Sequence, residues 1–252
     1  MGAATLRAAC SGAAATAGRR VGSGHSSRPV LPEELSLDID IISDVVCPWC
    51  FIGKRRLEQA LALWRERHPE DEPQVRWHPF ELNPQMPAAG MDRAQYLADK
   101  FGGPERAREI YARVEAAGRE VDIPFDFSRM QVQPNTLNAH RLIAWAGATG
   151  DQGAMVDALF DGYFLEARNL ASTEVLVEVA GAAGFDREVA GDLLASDELM
   201  DHVRKEEDTA HRIGVQGVPF FIFNQRVALS GAQPAEVLVE AMEQSLMALT
   251  EE

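Results

Sequence analysis

The sequence predicts an α/β fold in which a β-α-β unit and a C-terminal β-hairpin enclose a long run of helices. Residues 37–42 alternate and then become apolar, as in a strand that enters a core. Residues 51–68 carry apolar side chains at helical spacing. After a second alternating segment at 75–80, strand-like sequence returns only at 218–229. The strands therefore lie at the two ends of the folded body, with the helices between them.

The N-terminal unit has the order strand, helix, strand. The second strand, over 75–80, ends in a turn-rich segment at 83–87 that contains two prolines. The helix between the strands is predicted to bury one face. That face carries Leu57, Ala60, Leu61 and Trp64.

The stretch between residues 91 and 212 is predicted to be helical apart from an irregular segment at 122–133. Pro104 suits the first position of a helix, and Gly214 suits the stop after the last one. The predicted helices cover residues 91–101, 104–120, 136–148, 151–166, 172–183, 186–195 and 196–212.

The C-terminal part is predicted to be a hairpin followed by one helix. Residues 218–223 form the first strand, Asn224-Gln225 the turn, and residues 226–229 the partner strand. The helix over 234–249 then closes the chain with an apolar face.

Three parts follow from this order of elements. Residues 33–90 and 213–252 form one domain, and residues 91–212 form a helical insertion within it. Residues 1–32 are rich in Ala, Gly, Ser and Arg, contain no acid, and read as an organelle transit peptide or a disordered extension. Cys10, in this extension, is interpreted as incidental.

The N-terminal extension bears on where the protein is located. It lacks the continuous apolar core of a secretory signal, so we expect a protein that is not secreted. We expect it in the cytoplasm, or in the interior of a mitochondrion or plastid if residues 1–32 are a transit peptide.

The charge of the chain excludes some classes of partner. The 252 residues include 24 basic and 39 acidic ones, a net charge of −15, and all the acids lie after residue 32. Such a body does not bind nucleic acid through bulk electrostatics. No apolar run approaches the roughly 18 residues of a membrane-spanning helix.

Cys47-Pro48-Trp49-Cys50 is the motif that carries chemistry. It lies at the predicted strand-to-helix junction, with Cys47 at the helix N-terminus. Free N–H groups and the helix dipole favour a thiolate there, and the thiolate is the nucleophile of disulfide exchange. Cys50 lies one helical turn further on and is placed to resolve a mixed disulfide. We therefore assign Cys47 as the attacking residue and Cys50 as the resolving one.

Two other uses of this cysteine pair fit less well. A structural disulfide that closes so short a loop constrains little of the unfolded chain. A zinc site usually needs four ligands, and no second Cys-x-x-Cys or His-x-x-x-His follows. The sequence therefore predicts no metal site.

Four sequence blocks together resemble a known family. The chain is similar to the DsbA-type branch of the thioredoxin fold, and more narrowly to the FrnE-like group, which is related to 2-hydroxychromene-2-carboxylate isomerases and kappa-class glutathione transferases. The resemblance implies a thioredoxin fold with a large all-helical insertion between the β-α-β unit and the C-terminal hairpin plus helix. The blocks are residues 44–53, 79–84, 135–141 and 214–221.

The same resemblance implies how the site is built. Val218–Pro219 is expected to be a cis peptide that faces the cysteines, so that the backbone of Val218 can pair with an extended peptide or a thiol ligand. The insertion is expected to form a lid over the site. Pro48 and Trp49 lie between the cysteines and are expected to help set the reduction potential. Both are candidates for contact with the substrate, and a partly exposed hydrophobic cap on the site fits Trp49 equally well. Because Trp49 supplies no cation, we expect a less oxidising pair than in the strongest members.

Asp44 and His140 each have two interpretations. Asp44 is a candidate buried proton acceptor for Cys50, but a surface carboxylate or loop cap fits its position better. His140 is a candidate for lining the cleft, although a lone histidine in a helix is more often structural.

The residues leave three functions open. The first is a thiol-disulfide oxidoreductase, which requires both cysteines. The second is a glutathione-dependent isomerase or transferase, in which Cys47 holds glutathione as a mixed disulfide. The third, a non-catalytic binding module, fits an intact cysteine pair least well.

The first function sets the expected partners. We expect protein disulfides or small thiols as substrates, no nucleic acid and no membrane. No cofactor is required, and glutathione is a candidate thiol co-substrate. A homodimer is left open.

Overall fold

A computed structural model describes residues 36–250 of the protein, with the backbone alone for 248–250. The predicted extension over residues 1–32, including Cys10, lies outside the described residues. None of the described helices is long and apolar enough to cross a membrane.

A four-stranded mixed sheet forms the centre of the fold, with the strand order β2-β1-β5-β6. β1 pairs in parallel with β2 and antiparallel with β5, and β5 pairs antiparallel with β6. This is the predicted β-α-β unit joined to a hairpin. The strand bounds are β1 Asp38–Ser43, β2 Gln74–Pro79, β5 Phe220–Phe223 and β6 Val227–Ser230.

The two faces of the sheet are covered by different parts of the chain. Ile39 and Ile41 of β1 belong to the main core together with Phe221. Ile42 points to the opposite face, where it joins a smaller cluster with Phe80. This alternation follows from the two-residue period of a strand, and each face of the sheet carries an apolar cluster.

Nine helices surround the sheet in the described part of the chain, close to where the sequence predicts them. α1 packs against α9, and α4, α5 and α8 contact β2. α5 continues into a π-helical turn at Asp161–Leu165. The bounds are α1 Pro48–Arg67, α2 Arg93–Phe101, α3 Pro104–Arg119, α4 Leu137–Thr149, α5 Gln152–Phe160, α6 Thr173–Ala182, α7 Arg187–Ala195, α8 Met200–Arg212 and α9 Ala235–Thr250.

The insertion departs from the all-helical prediction at one place. β3 (Met91–Asp92) pairs antiparallel with β4 (Val132–Gln133), so the helix predicted over 91–101 begins at Arg93. The side chain of Asp92 caps this helix by accepting a hydrogen bond from the N–H of Gln95. Strands of two residues are too short to show an alternating pattern. The two strands also lie about 40 residues apart in the sequence, so no local turn signal marks their pairing.

The last helix of the insertion also begins later than predicted. The predicted helix over 196–212 starts at Met200 because the buried side chain of Arg141 binds the backbone just before it. Arg141 donates to the carbonyls of Leu193, Ser196 and Glu198. Because Arg141 supplies hydrogen-bond donors to these carbonyls, they do not need the N–H groups of a continuing helix.

Aromatic stacking joins α1 to the insertion. Phe51, the residue after Cys50, stacks on Phe160 of α5 with ring centroids 5.1 Å apart and planes 6° apart. Phe125 and Phe164 also contact the ring of Phe51. Such pairs add about 0.5–1.5 kcal/mol each beyond their buried area, so α1 has a fixed position relative to the insertion.

A charged triad connects β1, β2 and α8. The Nε2 atom of His78 lies 2.9 Å from the Asp40 carboxylate, and its Nδ1 atom lies 3.3 Å from Glu206. Burial lowers the pKa of His78, but the hydrogen bonds to Asp40 and Glu206 outweigh it and raise the pKa to about 9. For Asp40 the directions are reversed. Burial raises the pKa of its carboxyl, but hydrogen bonds from His78 and Arg76 outweigh burial and lower the pKa to about 2.

We expect His78→Gln to destabilise the protein in a pH-dependent way. The pKa of His78 in the folded state is above its unfolded value, so its contribution is fully present below about pH 6.5 and is lost as pH rises through about 9. The loss in the free energy of unfolding, measured by urea denaturation, should be larger at pH 6 than at pH 10. His202→Gln is the matched control, because this half-exposed histidine of α8 lies 4.0 Å from the same Glu206. A loss for His78→Gln that is the same at both pH values would contradict the prediction.

Candidate active site

Cys47 is the N-cap residue of α1, and Pro48 occupies the first helical position. The N–H of Cys47 donates to the carbonyl of Asp44, which forms the turn between β1 and α1. The first turn of α1 contains no acidic residue. The sulfur of Cys47 therefore lies at the positive end of a 20-residue helix, which favours negative charge on it.

The two cysteines differ in their access from outside. Cys47 is 5% exposed and lines a cleft of about 300 Å³. Cys50 is 1% exposed and does not line that cleft. Both are free thiols. A reagent in the cleft meets Cys47 first, and Cys50 lies behind it.

The environment of Cys50 keeps its proton on the sulfur. Burial raises the pKa of the Cys50 thiol well above its usual value, and the neighbouring Cys47 raises it further. Hydrogen bonds from the Ser43 hydroxyl and the Asp44 backbone offset this only in part. A protonated Cys50 can donate its S–H to the sulfur of Cys47.

The loop before β5 lies opposite Cys47. The Val218–Pro219 peptide is cis, as predicted, and the Sγ of Cys47 lies 3.6 Å from the carbonyl oxygen of Val218. The carbonyl of Pro219 accepts a hydrogen bond from the N–H of Gly231, which anchors the loop to the end of β6. Val218 also lines the cleft. Residues 171 positions apart thus form the two sides of the site.

The insertion supplies a further wall of the cleft. The hydroxyl of Tyr96 donates to Asn83 Oδ1 at 2.8 Å, and the Nζ of Lys100 donates to the Tyr96 hydroxyl at 2.6 Å. No sequence motif marks Tyr96 or Lys100, and only the folding of the insertion reveals that they lie at the cleft. Trp49 lies at the rim with 40% of its surface exposed. The wall contains Tyr96, Lys100, Phe101, Ile110, Tyr111 and Val114.

Asp44 is fully buried, so the surface interpretation is wrong. Its Oδ2 accepts a hydrogen bond from the N–H of Leu82 at 2.8 Å, and its Oδ1 accepts one from the N–H of Val46 at 3.4 Å. The side chain thus caps the loop that carries the cysteine motif and connects it to the segment after β2. The backbone of the same residue bonds to Cys50.

His140 lies behind Asp44 and does not line the cleft. Its Nε2 atom is 3.5 Å from Asp44 Oδ1, an ion-pair distance without hydrogen-bond geometry. Burial lowers the pKa of His140, but the interaction with Asp44 outweighs it, and the net shift is upward. The Asp44 carboxylate therefore favours the charged form of the His140 imidazole.

Two glutamates that sequence reasoning missed lie close to this pair. The N–H of Glu81 donates to the Oε1 atom of Glu207 at 2.6 Å. Burial, together with the charge of Glu207, raises the pKa of Glu81 to about 7. Burial also raises the pKa of Glu207. Nothing in the local sequence indicates this cluster, because it joins the end of β2 to α8.

Gly53 allows α1 to approach the Val218–Pro219 loop. A Cβ atom at this position would lie 2.9 Å from the Cγ of Pro219 and 3.2 Å from the Cζ of Phe221. Both distances are shorter than ordinary contact, so a larger residue would push the loop away from the cysteines.

Comparison with known proteins decides the family. A family model described as "DSBA-like thioredoxin domain" matches residues 38–243. The chain belongs to this family. The DsbA-like thioredoxin fold expected from the four sequence blocks is thereby confirmed, and the protein is an enzyme of the DsbA-like oxidoreductase kind.

Individual relatives agree with this assignment. The chain is similar to the probable DsbA oxidoreductase SCO1869 from Streptomyces coelicolor, with 33% identity, a TM-score of 0.76, and coverage of 83% of this chain and 89% of that one. It is 23% identical over 209 residues to the uncharacterized protein YwbO from Bacillus subtilis (strain 168), covering 82% of this chain and 96% of that protein. A 2-hydroxychromene-2-carboxylate isomerase shares the fold, with 15% identity, a TM-score of 0.61, and coverage of 85% and 98%.

We expect Gly53→Ala to lower the free energy of unfolding by about 1–3 kcal/mol, because the added methyl group overpacks the contact with Pro219. Gly191→Ala in α7 is the matched control. There a Cβ would meet only Val177 Cγ2 at 3.9 Å, so the higher helix propensity of alanine should stabilise the protein by up to about 1 kcal/mol. Urea denaturation of both variants measures whether each substitution lowers or raises the free energy of unfolding. Equal effects from the two substitutions would mean that the contact with Pro219 is not tight.

Proposed function

We propose that this protein is a thiol-disulfide oxidoreductase that exchanges disulfides with protein or small-thiol substrates through Cys47 and Cys50. The observation that carries the proposal is the asymmetry of the two sulfurs. Cys47 lines the cleft at a helix N-terminus, whereas Cys50 lies behind it as a protonated thiol. Membership of the DsbA-like family supports the same chemistry.

The reaction runs in two exchange steps. The Cys47 thiolate attacks one sulfur of a substrate disulfide, which forms a mixed disulfide with one substrate half and releases the other half as a thiolate. Cys50 then loses its proton and attacks the sulfur of Cys47. The Cys47–Cys50 disulfide forms and the second half leaves as a thiolate. The substrate gains two electrons and the cysteine pair loses two, and the reverse sequence forms a disulfide in the substrate.

The cleft holds the substrate in this proposal. The carbonyl of Val218 faces Cys47, and this edge of the loop can pair with an extended peptide beside the attacked sulfur. Trp49 at the rim offers a flat apolar surface to the substrate. Tyr96 and Lys100 supply polar groups on the opposite wall.

Asp44 is proposed as the acceptor of the Cys50 proton, and His140 is proposed as the residue that positions the Asp44 carboxylate. Asp44 is buried and its backbone bonds to Cys50. On its other side, the Asp44 Oδ1 atom lies 3.5 Å from the Nε2 atom of His140. A raised pKa makes Cys50 a poor nucleophile until a base removes its proton, so the second exchange step needs such a group.

A second function remains a candidate because the chain shares its fold with a 2-hydroxychromene-2-carboxylate isomerase. In that function glutathione would act as a cofactor, held by Cys47 as a mixed disulfide.

In either case we propose a location in the cytoplasm or an organelle interior. In a glutathione-poised compartment the pair would be mostly reduced unless its reduction potential is high, and a reduced pair would act as a reductase or an isomerase.

The assay measures the reduction of insulin disulfides by the protein, with dithiothreitol as the reagent that reduces the cysteine pair again. We expect Cys47→Ser to abolish this catalysed reduction, because it removes the attacking sulfur. Cys50→Ser should instead stop at the first step and accumulate a mixed disulfide that mass spectrometry detects. Both variants are made in a Cys10→Ser background, so that only the pair can react. Turnover by the Cys47→Ser variant would contradict the proposal, and inactivity of the parent would favour the glutathione-dependent function.

We expect Asp44→Asn to slow the second exchange step on the order of 10²-fold at pH 7, because the Cys50 proton then has no acceptor. The step is observed as the second phase of glutathione release after the reduced protein is mixed with oxidised glutathione. The deficit should shrink as pH rises, since Cys50 then loses its proton to solvent.

Asp71→Asn is the control for this prediction. It replaces another buried carboxylate, which accepts a hydrogen bond from the indole of Trp64 far along α1 from the cysteines. Its second phase should match that of the parent protein. An Asp44→Asn deficit that is the same at every pH would assign Asp44 a structural role only.

A further inference from the structure

A second cavity lies between α2 and α3, beside the thiol cleft. Its volume is about 420 Å³, which is within the usual range for small-molecule sites. Tyr111 lines both this cavity and the cleft at Cys47. Apolar walls are provided by Ala94, Leu97, Ala107 and Phe127. Nothing in the proposed disulfide exchange uses this space.

Arg93 lines the cavity and is buried without a counter-charge. The residue is 4% exposed, and its Nε atom has no hydrogen-bond partner. Within the described part of the chain, no carboxylate forms an ion pair with it. Arginine is almost never this buried unless it is paired, because removing a charge from water costs several kcal/mol.

The neighbours of Arg93 stabilise its charge only in part. Its guanidinium carbon lies 4.8 Å from the ring centroid of Tyr111 and 5.4 Å from that of Phe127. Burial raises the pKa of both Tyr111 and Tyr163, and the charge of Arg93 and its side-chain hydrogen bonds to both phenols offset this only partly. Both phenols are therefore neutral, and they cannot neutralise the guanidinium.

The backbone of Arg93 is held firmly. Its N–H donates to the carbonyl of Gln131 at 2.9 Å, next to the β3–β4 ladder, and Asp92 caps the helix that it begins. A cation fixed on a rigid element is ready to receive an anion at little cost in conformational entropy.

We propose that this cavity binds a small organic carboxylate with an apolar body, and that Arg93 is the residue that recognises the carboxylate. The planar guanidinium suits a carboxylate in a two-point contact. The apolar walls suit an aromatic or aliphatic remainder, and the one buried cation among the lining residues suits a single negative charge. The inference does not depend on the disulfide chemistry, since it rests on this cavity and on Arg93 alone.

Among the residues that line this cavity, one carboxylate is a rival occupant. Glu115 of α3 lines the same cavity and is half-buried. Arg108, about two turns before Glu115 on α3, is exposed at the rim. If Glu115 turned towards Arg93 in solution, the cavity would be closed by the chain's own carboxylate.

The test uses 3-phenylpropanoate as the probe and its neutral amide as the matched ligand, titrated into the full chain and followed by backbone NMR shifts. We expect saturable shifts at α2 and α3 with the carboxylate, and affinity on the order of tenfold weaker or worse with the amide. This comparison needs no variant. Equal affinities for the two ligands, or no shifts with either, would overturn the proposal.

Variants locate the contact. Arg93→Gln should weaken binding of 3-phenylpropanoate about as much as the amide substitution does, and Arg93→Lys should retain part of the affinity. Arg108→Gln, which removes an exposed cation at the same rim, should change the affinity little. A loss with Arg108→Gln that equals the loss with Arg93→Gln would overturn the assignment to Arg93, and binding seen only in Glu115→Gln would show that the chain fills its own cavity.

Discussion

The close approach of α1 to the Val218–Pro219 loop is the constraint on which the site depends. Gly53 permits this approach because a side chain there would meet Pro219 at 2.9 Å. The approach brings the carbonyl of Val218 to 3.6 Å from Cys47 Sγ, across a sequence separation of 171 residues. The aromatic contacts of Phe51 then hold α1 against the insertion, so the cysteine motif is fixed from two sides.

Polar groups buried behind the cysteines give this part of the core its specificity. Asp44 accepts hydrogen bonds from two backbone N–H groups and lies against His140, and the Glu81–Glu207 pair lies beyond. Buried polar groups are costly unless they are satisfied by partners, and Asp44 takes one partner from its own loop and one from the segment after β2. The loop that carries Cys47 is therefore held by tertiary contacts as well as by its own turn.

The sequence predicts the fold well because its signals are local. Alternation in β1, helical spacing in α1 and the turn at Asn224 each follow from neighbouring residues, and the Cys47–Cys50 motif marks its own helix terminus. The rest of the site depends on contacts between distant segments. Asp44 is buried only because residues near Leu82 fold over it, and Tyr96 reaches the cleft only because α2 begins after a two-residue ladder.

Tyr111 has a consequence for how the molecule responds to its ligands. Tyr111 bounds the cleft at Cys47, and it also bounds the space beside Arg93. A molecule that moves this ring from one side alters the shape of the other side. Binding free energies are reciprocal, so each ligand would then change the affinity of the other by the same factor. A single phenol shared by the two compartments would thus be enough to link them thermodynamically.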